Sequence, residues 1–299
     1  MTFVQNWLQA ARLRTLPLAL GVTGMGNLLV FRNLGFRWDI TCLSLLTTLL
    51  LQVLSNFAND YGDSVHGADH KNRKGPLRTV QSGKIQPMHM KRAILMFVFL
   101  SLVSGLGLLW LAFHDRPNDF LWVLALGILC IGAAYFYTNG ARPYGYLALG
   151  DIAVFIFFGP VAVLATAYLH GGSPEMVYGL PALTMGFWST AVLNLNNMRD
   201  VESDQEAGKQ TIPLLIGIFR AKIYQAVLVT GGGLSLFLYG YLMEEPMVLG
   251  ALPAFLWMVF SLIQTLKTTR HTDFDSFLKP QALSTFLSVL GMVIVRLWL

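Results

Sequence analysis

Long apolar runs separated by short polar segments are the main feature of this 299-residue chain. About 20 helical residues cross the roughly 30 Å hydrocarbon core of a bilayer. Seven of the runs reach that length, and two more, at 16–31 and 120–138, are shorter or weaker. Together they predict nine spans, at 16–31, 40–60, 93–113, 120–138, 147–169, 177–198, 223–242, 247–266 and 281–298. Every backbone N–H and C=O in hydrocarbon needs an internal partner, which excludes open sheet edges. The pattern therefore predicts an all-α, polytopic membrane protein.

The connections are mostly short, which predicts a single domain over residues 1–299 built as one nine-helix bundle. Composition agrees: 55% of residues are hydrophobic, 12% are charged and the mean hydropathy is +0.56, whereas an ordinary soluble domain is about a quarter charged. A net charge of +5 raises nucleic acid as a partner. Sorting the basic residues by side points to the lipid bilayer instead: seventeen of the 21 fall on the side that carries the N-terminus and four on the other. This bias predicts an N-terminus in the cytoplasm, a C-terminus outside and residence in the cytoplasmic (inner) membrane. Phe3, Trp7, Leu8 and Leu13 among polar positions suit a short interfacial helix leading into the first span. Arg12 and Arg14 follow as topology determinants, and Arg14, at the mouth of the first span, is also placed to face a bound anion. The first apolar run ends without a small-residue cleavage pattern and reads as a retained helix. Cys42 and Cys130 both fall within spans and read as apolar fillers.

Two spans end abruptly in acid. Span two closes with Asn59-Asp60-Tyr61-Gly62-Asp63, and Asn59 and Asp63, four apart, share a helix face. Span six closes with Asn196-Asn197-Met198-Arg199-Asp200, and Asn196, Asp200 and Asp204 repeat at intervals of four. Both spans run from outside to inside, so both acidic ends emerge on the cytoplasmic face, and spans 1–4 and 5–8 read as two similar halves. Carboxylates at the edge of a membrane helix are costly and are usually kept because they bind something. Facing carboxylates repel unless a cation lies between them, and Mg2+, which favours a few carboxylates plus phosphate oxygens, is the expected guest. His66 and His70 lack a third ligand for zinc. The basic tract Lys71–Arg78, including Lys74, follows the first cluster directly. It reads either as a headgroup-binding loop or as a source of cations for a metal-held anion. Tyr135 and Tyr137 read first as an interfacial belt. Asp151, one turn into span five, either stabilises a helix N-terminus or looks into the same cavity as the acidic clusters. The triple glycine at 231–233 permits close helix packing, and Asp273 and Asp275 fall in what reads as a solvated connector. A metal-held diphosphate at the mouth of a greasy bundle implies a substrate with a charged head and an apolar tail, an isoprenoid diphosphate.

The pattern Asn-Asp-Tyr-x-Asp-x-x-x-Gly-x-Asp at 59–69, with the following Gly-Pro-x-Arg and Ser-Gly, resembles the UbiA-type intramembrane prenyltransferases, as does Asn-Asn-x-Arg-Asp-x-x-x-Asp-x-x-x-Gly-Lys-x-Thr at 196–211. Within that superfamily the chain is most similar to the polyprenyltransferases that act on 1,4-dihydroxy-2-naphthoate in menaquinone synthesis. The similarity extends to Gly-Asp-Ile-x-Val-Phe-x-Phe-Phe-Gly at 150–159. Where the superfamily's first motif often places an acid, position 67 is Gly and the third acid is Asp69, a shift shared by naphthoate-type members. The resemblance implies that Asn59, Asp63, Asn196, Asp200 and Asp204 hold Mg2+ and, through it, the diphosphate of a polyprenyl donor. It implies that Lys209, Arg78 and Lys74 neutralise the departing pyrophosphate, with Arg14 and Arg199 also counted as substrate-binding. Tyr61, Tyr135 or Tyr137 would face the allylic cation, and Asp151 would orient the hydroxyls of the naphthoate. Loss of the carboxylate from the alkylated carbon then gives demethylmenaquinone, carbon dioxide and pyrophosphate. Within the same class the alternatives are a 4-hydroxybenzoate or homogentisate acceptor and a phytyl donor. An ion-coupled transporter is the alternative from another class, but such sites lie near the midplane on interrupted helices.

Overall fold

The computed structural model describes residues 3–31, 35–65, 78–139 and 143–299, with the side chain of Asp63 outside that description. Apart from one isolated β-bridge, the regular structure among these residues is helical. A short helix α1 (Phe3–Ala11) precedes α2 (Leu16–Leu29), α3 (Trp38–Val65), α4 (Pro87–Phe113) and α5 (Pro117–Phe136). The second half begins with α6 (Gly150–Tyr168) and α7 (Gly179–Arg199). Two short helices, α8 (Val201–Glu206) and α9 (Ile212–Ile216), lead to α10 (Ile218–Leu242), α11 (Leu252–Lys267) and α12 (Asp275–Trp298).

Eight of these, α3 to α7 and α10 to α12, are long and apolar enough to cross a membrane among the described residues, counting the turn Pro246–Ala251 that leads into α11. The span expected at 16–31 is α2, which has 14 residues and is therefore only about 21 Å long. It packs against α3, α6 and α12, and ten of its residues are buried, so most of it meets protein and not lipid. Several helices begin or end beyond their expected limits. The acidic turn 61–65 stays helical on α3, α4 starts at Pro87 with its ring at the N-terminus, and α12 starts at Asp275 and carries Pro280 internally.

The halves pack internally, α3 on α4 and α5, and α7 on α6 and α10; α2 and α12 join them. The main core gathers around Trp188, Met185, Val229, Leu236 and Met258. Trp188 donates its indole N–H to the Val229 carbonyl at 3.1 Å. The triple glycine makes this possible: a Cβ on Gly232 would lie 2.4 Å from the Trp188 indole nitrogen, and one on Gly233 would lie 2.3 Å from the Phe255 ring. Outward-facing Phe99, Trp110, Trp122, Phe219 and Phe260 are exposed and form the lipid-facing surface. Cys42 and Cys130 are free thiols.

Candidate active site

Between the halves lies a cavity of about 440 Å³, lined by α2, α3, α5, α6, α7 and α12. Ser44 and Asn59 both line it, fifteen residues apart on α3, which makes it about 22 Å deep. Its body is mainly apolar, with Leu51, Val123, Leu126, Phe157, Phe158 and Val161 on the wall beside scattered hydroxyls such as Thr48 and Thr166. Phe157–Val161 form a π-helical turn around Pro160, and that wider turn presents the two phenylalanines and Val161 to the cavity.

The charged residues concentrate at one end. Arg12, Arg14, Asn59, Arg78, Tyr137, Asn196 and Lys209 all line the same cavity, so the ends of α3 and α7 share one mouth. Asn59 is oriented by Thr138, whose hydroxyl donates to the Asn59 amide oxygen at 3.1 Å. Asn139 donates its amide to the Ala58 carbonyl at 3.1 Å. Both contacts depend on Gly62, where a Cβ would lie 2.7 Å from the Thr138 carbonyl oxygen.

On the other side of the mouth α7 ends at Arg199, and the chain kinks at Asp200 (φ −94°, ψ 9°) into α8. Asp204 still donates its backbone N–H to the Asp200 carbonyl at 2.8 Å, so the spacing of four survives the kink. Arg199 is almost fully buried and forks onto Asp200, donating to both carboxylate oxygens at 2.7 and 2.6 Å, and it also donates to Asn196 Oδ1 at 2.8 Å. Its remaining terminal nitrogen pairs with Asp275, which also takes Arg14 at 3.2 Å. Lys209 sits 3.4 Å from Asp204 and lies over the Tyr146 ring at 5.7 Å. Its loop is fixed by Gly208 at φ +67° and by the bridge in which Gln210 and Ala148 exchange backbone bonds with 146–148 and 210. Tyr144, in the facing loop, has its phenol pushed well above the ordinary range, first by burial and then by Tyr137.

The expected residues thus fall into four groups. Arg14, Asn59, Arg78, Tyr137, Asn196 and Lys209 form the cavity mouth. Asp200 and Asp204 are buried immediately beside it through their bonds to Arg199, Asn196 and Lys209. Asp63 lies one helical turn beyond Asn59, but its side chain, with Lys74, Asp69, His66 and His70, lies outside the described residues. Four residues sit elsewhere. Arg199 braces Asp200 and Asn196 and is not on the cavity wall, because its fork is filled by carboxylates. Tyr61 packs in the cluster of Trp7, Phe57 and Met90. Tyr135 is 39% exposed and pairs edge-on with Phe136. Asp151 does not look into the cavity: Ala153, Val154 and Phe157 take the wall positions of α6, while Asp151 is buried toward Tyr224 of α10. Asp275 is likewise no solvated connector, since it bridges Arg14 and Arg199.

Sequence reasoning passed over Asn56, Asp60 and Thr138. A signal for the first two was present, since Asn56 and Asp60 are four apart on the face adjoining Asn59 and Asp63. No such spacing marks Thr138, which reaches Asn59 from the turn after α5.

Among the described residues no three His, Cys, Asp or Glu side chains gather into a metal cage. The donors at the mouth are amide and carboxylate oxygens, the hard donor set that suits Mg2+ completed by phosphate oxygens.

A sequence profile described as the UbiA prenyltransferase family matches residues 19–290. The chain belongs to this family. It is 45% identical over 235 residues to the 1,4-dihydroxy-2-naphthoate octaprenyltransferase of Escherichia coli K12, covering 79% of this chain and 76% of that one. To the protein of the same name from Mycobacterium tuberculosis it is 36% identical over 236 residues, covering 79% and 78%. Two solved UbiA homologues share the fold at lower identity. The one from Archaeoglobus fulgidus bound to GPP and Mg2+ aligns with a TM-score of 0.67 at 17% identity, over 97% of this chain and 99% of that one. The apo homologue from Aeropyrum pernix K1 aligns with a TM-score of 0.70 at 14% identity, over 96% and 99%. The fold reading from the apolar runs and the family resemblance both stand. Among the described residues eight helices are long and apolar enough to cross a membrane, and the stretch expected as the first span is the shorter α2.

Proposed function

We propose that this UbiA-family protein transfers a polyprenyl group from a polyprenyl diphosphate to 1,4-dihydroxy-2-naphthoate, releasing pyrophosphate and carbon dioxide and forming demethylmenaquinone in its reduced, quinol form. The observation that carries the reading is the polarity of the cavity: a mouth of asparagine and cation, with Asp200 and Asp204 buried beside it, opens onto a mainly apolar bore about 22 Å deep. Such a shape fits a lipid tail below an anionic head. The naphthoate acceptor is supported by the 45% and 43% identical relatives named for it.

Asn59, Asp63, Asn196, Asp200 and Asp204 would hold Mg2+, which supplies charge neutralisation for the diphosphate when bound. Arg78 and Lys209 place fixed positive charge at the same mouth, where it stabilises the charge that builds on the leaving pyrophosphate as the allylic C–O bond breaks. The electron pair of that bond leaves with the pyrophosphate. Tyr137 lines the wall near the mouth, where an aromatic ring would stabilise the allylic cation, and the mainly apolar bore keeps water from that cation. The naphthoate ring carbon that bears the carboxylate forms the new C–C bond, and loss of carbon dioxide restores aromaticity. The mouth faces the cytoplasm of the inner membrane by the bias of basic residues.

The test supplies membranes carrying the protein with dihydroxynaphthoate and a labelled polyprenyl diphosphate, with and without EDTA. Label is expected in a quinone-extractable product only without EDTA. Transfer to 4-hydroxybenzoate or homogentisate but not to dihydroxynaphthoate would overturn the acceptor.

A further inference from the structure

Helix α3 presents two neighbouring faces at the mouth. One carries Asn59 and Asp63; the other carries Asn56, which still touches the cavity wall, and Asp60, and it reaches toward the flanking loops. Asn56 is buried and donates its amide to the Ala11 carbonyl at 2.8 Å and to the Thr15 hydroxyl at 3.1 Å. Asp60, only 2% exposed, accepts three hydrogen bonds from the segment after the basic tract. The Thr79 N–H and hydroxyl reach one oxygen at 3.1 and 2.8 Å, and the Val80 N–H reaches the other at 3.2 Å. The residue immediately before Thr79 is Arg78, on the cavity wall. The segment then closes on itself, with Ser82 and Gly83 donating backbone N–H groups to the Arg78 and Val80 carbonyls. Val80 and Ile85 are buried against Leu54 and Phe57 of α3.

We infer that Asp60 is a positioning residue that seats Arg78 at the diphosphate end of the cavity, through hydrogen bonds that fix the backbone at Thr79 and Val80. Asp60 acts through Arg78 and not as a metal ligand, because both of its carboxylate oxygens are taken by the Thr79 and Val80 donors. A carboxylate is the right group here: two N–H donors and a hydroxyl converge on it, and charge-assisted bonds of this kind are about twice as strong as neutral ones. An amide in its place would turn an N–H2 toward one of those donors. The inference rests on the prenyltransferase reading above, since it assigns Arg78 to the diphosphate.

The experiment measures inhibition by inorganic pyrophosphate, together with KM for the polyprenyl diphosphate. It uses the full chain in detergent with Mg2+, comparing wild type, Asp60→Asn, Arg78→Gln and the double variant. Either single change is expected to weaken pyrophosphate inhibition about ten-fold, the scale of one charge-assisted contact. The double variant is expected to be no weaker than Arg78→Gln, because coupled residues are non-additive. Independent, multiplicative effects in the double variant, or unchanged inhibition in Asp60→Asn, would overturn the positioning role. Should Asp60→Asn fail to fold, Thr79→Val removes one of the three bonds, with a smaller loss expected that vanishes in the Arg78→Gln background. An equal loss in that background overturns the role just as well. Wild-type protein that ignores pyrophosphate and transfers no prenyl group would instead remove the functional reading, and the inference with it.

Discussion

Gly62 offers the sharpest test of how the mouth is built. It lies on α3 between Asn59 and Asp63, where that helix meets the end of α5. An alanine there would place its Cβ 2.7 Å from both the carbonyl and the hydroxyl oxygen of Thr138, and 3.0 Å from the Asn139 amide nitrogen, where ordinary contact begins at 3.4 Å. The deficit of about 0.7 Å falls on backbone that is itself bonded, through Thr138 and Asn139, to Ala58 and Asn59. Overpacking of this kind costs about 1–3 kcal/mol, and displacing a reacting group by about 1 Å can cost about 10²-fold in rate. Gly62→Ala should therefore lower the apparent thermal midpoint in detergent by several degrees and cut prenyl transfer by about 10- to 100-fold. Gly132→Ala is the control, because nothing lies within 4 Å of a Cβ at that position of α5. It should keep full transfer and gain slightly in midpoint, since alanine favours helix by about 1 kcal/mol over glycine. If Gly62→Ala matched Gly132→Ala in both measurements, the close approach of α3 to residues 138–139 would have no part in holding Asn59.

Asp200→Ala and Asp63→Ala should abolish transfer while the protein still extracts from membranes as a folded species. Turnover near wild type at saturating Mg2+ would remove that residue from the site. Lys209→Gln should raise KM for the diphosphate donor about ten-fold, one charge-assisted contact, with dihydroxynaphthoate KM unchanged, and an equal rise in both would contradict its place beside the leaving group. Ala165 lines the cavity far from the mouth, so Ala165→Phe should depress turnover of long-chain donors while ten-carbon donors keep theirs, read by competing the two. His170, in the turn after α6, accepts the Arg37 backbone N–H at Nδ1 (3.1 Å) and pairs through Nε2 with Asn27 at 2.9 Å. Burial first, and the Arg37 charge second, hold its pKa down to about 4, with Asp39 opposing. A depressed folded pKa means that its stabilisation is complete above about 6.5 and is lost as pH falls toward 4. The midpoint difference between wild type and His170→Asn should narrow over that window, and a constant difference would show that the imidazole does not titrate there.

The apolar runs determined by themselves that the chain is a membrane-embedded bundle, since their length against the thickness of hydrocarbon leaves helices as the structure such runs adopt. The spacing of four in Asn59–Asp63 and Asn196–Asp200–Asp204 was likewise readable, because side chains four apart on a helix share a face whatever surrounds them. What spacing could not give is which face looks inward. Asp151 left two readings open in the sequence, a helix N-terminus or the cavity, and packing turns it toward Tyr224. Arg199 looked like a substrate cation, yet two acids, Asp200 beside it and Asp275 seventy-six residues away, fill its fork. Asp60 and Thr138 act on Arg78 and Asn59 across long stretches of chain, and such contacts exist only once the helices have packed. The tertiary structure decided these roles because a polar group in a dry interior takes the partner that packing brings to it, and the identity of that partner is not local in the chain.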